Sequence, residues 1–193
     1  MSGGRRLRLL ANSLTLSRCA IAASILIIGV SRGDLGAGDR LGLIVGLNIA
    51  GWTTDVIDGW AARRSGSPSP VWADVDQAAD LSLQWATAYA LGVARLVSLY
   101  WITLYLLLTI FAMAVRPSKN LIQISSLPMV VLPAFACLRH YPLFTLLYFA
   151  WAVCAAALFW SRLCSQAVAF IDRLPPGPRG WFSGVRKWMS RYC

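Results

Sequence analysis

Apolar residues fall in six blocks along this chain, separated by short polar breaks. The blocks cover roughly 14–31, 41–62, 76–94, 98–115, 120–138 and 141–163. Each is near the ~20 residues that a helix needs to cross a hydrocarbon core. Arg5-Arg6-Leu7-Arg8 precedes the first block and predicts a surface helix leading into a first span. A basic start and a short apolar run also describe a cleaved leader. Against that, no small-x-small site follows Val30, and Arg18 spoils Leu16-Ser17-Arg18-Cys19 as a lipoprotein site. Beyond Ser165, Pro175-Pro176-Gly177-Pro178 is expected to break any helix. Trp181-Phe182 and Trp188, with Arg186, Lys187 and Arg191, then suggest an interfacial amphipathic anchor. The pattern predicts an all-α integral membrane protein with six transmembrane helices and interfacial amphipathic segments at both termini. A six-helix membrane domain is expected over 1–164 and a basic aromatic cytoplasmic tail over 165–193.

Composition agrees with the pattern. The 193 residues are 58% hydrophobic, with a mean hydropathy of +0.60, too apolar for an ordinary soluble domain. There is no internal repeat and no low-complexity tract. The net charge of +10 comes from 16 Arg and 2 Lys. No nucleic-acid recognition module accompanies it, so no nucleic-acid partner is expected. The basic residues lie mostly outside the apolar blocks, where they set topology and meet anionic headgroups. With six spans, Arg5, Arg6, Arg8, Arg63, Arg64, Arg116, Lys119 and the basic tail share one side. Arg32, Arg40, Arg95 and Arg139 fall on the other, where Asp34 and Asp39 offset the first two. This asymmetry places both termini in the cytoplasm and fits a bacterial inner membrane. Cys19, Cys137, Cys154, Cys164 and Cys193 show no close-paired spacing and read as inert thiols. His140 reads as a solvated loop residue.

The acidic residues change the picture. The chain has eight, all Asp, and five of them lie between positions 55 and 80: Asp55, Asp58, Asp74, Asp76 and Asp80. Carboxylates are costly at membrane depth unless they pair, bind ions or do chemistry. On a helix, Asp55, Asp58, Gly59 and Ala62 share one face, and Asp76 and Asp80 share another. Gly59 and Ala62 leave a shallow surface for a large ligand, while Asp74 points elsewhere. Two in-phase carboxylate pairs suit hard divalent cations that share their shell with phosphate oxygens. A carboxylate not used by metal could accept a proton from an attacking hydroxyl. Capping, or ion pairing with Arg63 and Arg64, would account for one pair but not for two in phase.

Asp55, Asp58, Gly59, Ala62, Arg63, Asp76 and Asp80 stand in the order and spacing of a known signature. In these positions the chain resembles the CDP-alcohol phosphatidyltransferase family. Asn12, Thr15 and Arg18 also look like a pattern often found in that family's first helix. One signature position departs: Trp72 replaces a Gly. Either the loop before the third span absorbs the ring at the interface or the ring alters the substrate cleft.

The resemblance implies a phospholipid-biosynthetic enzyme. It would transfer a phosphatidyl group from CDP-diacylglycerol to a small polar alcohol and release CMP. Two ions, Mg2+ or Mn2+, would be held by Asp55, Asp58, Asp76 and Asp80, with Asp80 also the catalytic base. Asp55, Gly59, Ala62 and Arg63 would contact the cytidine diphosphate, and the enzyme would be a homodimer in contact with membrane lipids. Arg116 and Lys119, before the fifth span, are candidates for an acceptor phosphate and favour glycerol-3-phosphate. Cardiolipin synthesis, or transfer to inositol phosphate or serine, stays open within the family. A prenyltransferase is a further alternative, against which the Gly59, Ala62 and Arg63 context argues. A transporter is disfavoured because the acids cluster at one membrane face. A non-catalytic scaffold with the same fold is the alternative from another class.

Overall fold

The computed structural model describes residues 2–31, 36–64, 70–115, 119–138, 141–172 and 176–192. Regular structure among them is entirely helical. In chain order the helices are α1 Ser2–Val30, α2 Ala37–Arg64, α3 Pro70–Val93, α4 Leu99–Val115, α5 Lys119–Leu138, α6 Pro142–Leu158, α7 Trp160–Asp172, α8 Pro176–Trp181 and α9 Ser183–Tyr192. Proline opens α3, α6 and α8, where the missing N–H costs no intrahelical bond.

Helices occupy all six expected apolar blocks, with three local differences. The surface helix and the first span are one continuous helix of 29 residues. α3 begins at Pro70, so Trp72 sits half-buried in a first turn and not in a loop. The sixth block breaks at Phe159, whose φ of −118° and ψ of 29° leave the helix before α7 restarts it. The tail also differs. Pro176-Gly177-Pro178, expected to break any helix, instead forms the first turn of α8, because proline is tolerated in a first turn. Leu9–Val30 is long and apolar enough to cross a membrane unaided, while Leu99–Val115, Pro128–Leu138 and Pro142–Leu158 are shorter apolar helices.

The core forms where α1 packs against α2 and α3, the two most extensive helix pairings among the described residues. Ala22 and Ile25 of α1, Ile44 of α2, and Leu83, Ala86 and Ala90 of α3 fill its centre. Small residues let these backbones approach closely. A methyl group on Gly29 would lie 2.7 Å from Cβ of Ala90, and one on Gly51 would lie 2.5 Å from Cδ2 of Leu83. Asn48 donates to the Thr87 hydroxyl at 2.8 Å, tying α2 to α3 through a buried polar bond.

α5 joins this core through Ala136 and Cys137, which cluster with Leu41, Val45 and Leu91. Pro128 and Pro133 interrupt its hydrogen-bond ladder, and side chains of its neighbours reach its carbonyls. Tyr105 donates to the Ser125 carbonyl at 2.9 Å, Tyr148 to Val130 at 2.8 Å and Thr145 to Ala134 at 3.0 Å. These bonds tie α4 and α6 to α5. Cys19, Cys137 and Cys154 are free thiols. Cys164 is not: it is disulfide-bonded, and the reading of inert thiols is corrected there.

Candidate active site

Three helices meet at one end of the core, each bringing polar side chains to it. α1 contributes Thr15 and Arg18, three residues apart and therefore on one face. α2 contributes Asp55 and Asp58 near its C-terminal end, and α3 contributes Asp76 and Asp80 near its N-terminal end. The two in-phase pairs expected from spacing thus converge from separate helices.

Arg18 lies at the centre. Its Nη1 contacts Asp80 and lies 3.2 Å from Oδ1 of Asp55. Its Nη2 contacts both Asp58 and Asp76. The Thr15 hydroxyl lies 3.3 Å from Oδ2 of Asp58 and 3.4 Å from Oδ1 of Asp76. Four carboxylates against one guanidinium leave a formal excess of three negative charges within this group.

The four aspartates are not equivalent. The Arg18 side chain is 0% exposed and that of Asp58 5%, whereas Asp55, Asp80 and Asp76 are 20%, 29% and 39% exposed. Asp58 therefore lies at the floor and the other three form a rim. One carboxylate oxygen from each of Asp55, Asp76 and Asp80 falls within 4.8 Å of the other two. A set of oxygen donors this close, with net negative charge and an open side, fits a hard divalent cation.

The other expected site residues are placed less fully. Gly59 is half-buried on α2, one residue beyond Asp58. Ala62 and Arg63 continue the same helix, but their side chains lie outside the described residues. So does Arg116 as a whole, and so does the Lys119 side chain at the start of α5. Asp74 is exposed on α3.

A family model for CDP-alcohol phosphatidyltransferases matches residues 8–170. The chain belongs to the CDP-alcohol phosphatidyltransferase family. It is accordingly an enzyme that transfers substituted phosphate groups, in a family that is membrane-integral and divalent-metal dependent. No curated protein and no solved structure matches the chain significantly. The match spans α1 to α7, so it takes in every aspartate of the cluster as well as Thr15 and Arg18.

Thr15 and Arg18 are the members of this cluster that spacing among the acids does not reveal. A signal for them exists in the sequence. Arg18 is the sole charged residue in the first apolar block, 14–31. A cation inside a span must find anions, and the aspartate pairs are the obvious ones.

Proposed function

We propose that this phosphatidyltransferase moves a phosphatidyl group from CDP-diacylglycerol to an acceptor alcohol and releases CMP. The convergence of Asp55, Asp58, Asp76 and Asp80 on one end of the α1–α3 core, in a chain of this family, carries the reading. Six helices would span the membrane, with the site and both termini cytoplasmic in a bacterial inner membrane. There it would meet a lipid donor and a water-soluble acceptor together. A homodimer is the assembly that the family resemblance suggests.

The rim carboxylates of Asp55, Asp76 and Asp80, with Asp58 behind them, would hold the divalent cations. When bound, Mg2+ or Mn2+, two ions in the fullest reading, supplies positive charge to the diphosphate of the donor. Gly59, Ala62 and Arg63 would contact the nucleotide, Arg63 through the planar fork that guanidinium offers to phosphate oxygens. Asp80 is the proposed base and takes the proton of the acceptor hydroxyl. The acceptor oxygen attacks the phosphorus that carries diacylglycerol. The bond from that phosphorus to the oxygen shared with CMP breaks, and CMP leaves with the electron pair. Most of the rate enhancement in such a site comes from positioning and fixed charge.

Arg116 and Lys119 favour a phosphate-bearing acceptor, glycerol-3-phosphate first. The test is to give purified protein CDP-diacylglycerol, Mg2+ and one acceptor at a time, and to identify the lipid product. The panel is glycerol-3-phosphate, phosphatidylglycerol, inositol phosphate and serine. Phosphatidylglycerophosphate as the product is the expected result. Another lipid product would keep the transferase and replace its acceptor. No product with any acceptor would favour the scaffold reading.

A further inference from the structure

Among the described residues Arg18 touches all four aspartates, and it does so from a fully buried position. Nη1 serves Asp55 and Asp80, while Nη2 serves Asp58 and Asp76, so each nitrogen bridges α2 and α3. The guanidinium therefore sits between the two pairs. It draws together carboxylates that would otherwise repel across the helix interface. Its Nε is buried without a hydrogen-bond partner, so all of its bonding is spent on the aspartates.

Three of these aspartates are also the candidate metal ligands. Arg18 engages Oδ1 of Asp55, Oδ1 of Asp76 and Oδ1 of Asp80. These residues are the three whose carboxylate oxygens lie close enough together to share one cation. A lone pair committed to a guanidinium N–H is weakened as a metal donor, and the positive charge of Arg18 repels a second cation nearby. Resting on the metal-dependent reading given above, we propose that Arg18 is a positioning residue that acts as a resident counter-charge. It keeps the four carboxylates assembled and competes with divalent cations for the rim oxygens, so it sets how tightly the site binds metal. Its burial suits this role, because a side chain packed into the α1–α3 core stays in place while the rim exchanges ions.

A purely architectural ion pair makes the opposite prediction. If Arg18 only held the helices in register, its loss would loosen the site and weaken metal binding. A competing counter-charge, once removed, strengthens metal binding even though the protein becomes less stable. The direction of the affinity change separates the two roles.

The measurement is Mn2+ binding to purified full-length protein in detergent, read from the electron paramagnetic resonance signal of free Mn2+. Wild type, Arg18→Gln and Arg18→Lys are compared. Arg18→Gln is expected to bind Mn2+ about tenfold tighter or more, the size of a ~1.4 kcal/mol relief of repulsion. Arg18→Lys keeps a cation but loses the planar fork that spans both pairs, and its affinity is expected between the other two. Where Arg18→Gln does not fold, Arg18→Lys alone decides: tighter binding than wild type supports the proposal. Equal or weaker binding in the decisive variant overturns it and leaves the metal-dependent transferase intact. Absence of Mn2+ binding in wild type and variants alike overturns the metal reading and this proposal together.

Discussion

The α1–α3 core and the helices α4 and α6 are built from the same apolar residues but put them to different uses. In α1–α3 the small residues face inward, and the polar groups of the site are held among them. Ala22, Ala86 and Ala90 pack with Ile25, Ile44 and Leu83, and the Asp and Arg side chains meet above this layer. In α4 and α6 the large residues face outward. Leu107, Leu108 and Phe111 of α4, and Leu143, Leu146 and Val153 of α6, are each more than half exposed. Among the described residues of these two helices, Ile102, Thr109, Thr145 and Tyr148 are the buried ones. An apolar exterior of that kind is stable against lipid and not against water. The lesson is that α1–α3, which also turn Leu16 and Ile27 outward, hold the chemistry as well, whereas α4 and α6 mainly present apolar surface to a solvent that here is hydrocarbon. The two regions should therefore answer differently to substitution.

The largest effect is expected at the site. Asp80→Asn keeps the shape of the side chain and removes its basicity. Transferase activity should fall by about 10^2 to 10^4-fold, while detergent-solubilised protein keeps its helical circular dichroism. Activity within threefold of wild type would remove Asp80 from the role of base. Next comes the packing of the core. Gly29→Leu puts a side chain against Ala90, where even a methyl group would lie 2.7 Å away. Overpacking of this kind costs about 1–3 kcal/mol, so the melting temperature should drop clearly. An unchanged melting temperature would contradict the close approach of α1 to α3.

A smaller effect is expected between the outer helices. Tyr148→Phe deletes one hydroxyl bond to the Val130 carbonyl. Interhelical bonds in membranes average about 0.6 kcal/mol, so chemical denaturation should shift only slightly, with activity unchanged. The smallest effect lies in the tail. The hydrogen bond and the charge of Arg186 hold the Asp172 carboxyl below its usual range, and its bond to Arg186 Nε is 2.7 Å long. A lowered folded-state value means that the contact is fully present above the unfolded-state value. It is lost as the pH falls through the lowered one. The protection factors of the α9 amides, corrected for the intrinsic pH dependence of exchange, should fall only in that acidic range, with transferase activity at neutral pH untouched. A fall in protection at neutral or alkaline pH would show that something else tethers the tail.

The same contrast governs what could be read from the sequence. The apolar blocks gave the positions of α2, α4 and α5 to within a few residues, but missed the polar starts of α1 and α3 and the break that ends α6 at Leu158. The aspartate pairs were legible because helical spacing alone puts Asp55 with Asp58 and Asp76 with Asp80. What spacing could not supply was the third element. Nothing in the register of α2 and α3 says that Arg18 of α1 lies between them, since that depends on how three helices pack. The different depths of Asp58 and the rim carboxylates are also a packing result. Trp72 was expected in a loop because the apolar block starts later than its helix does. Hydrophobicity marks where a segment becomes buried, and Pro70 marks where the helix begins.

The most direct test of the central claim is CMP release by wild-type protein from CDP-diacylglycerol with the acceptor panel. It would be measured with Mg2+, then after chelation, then with Mg2+ restored. The account predicts release with an acceptor present, loss on chelation and recovery on restoring the metal. Release that persists through chelation, or no release under any condition from folded protein, would contradict it.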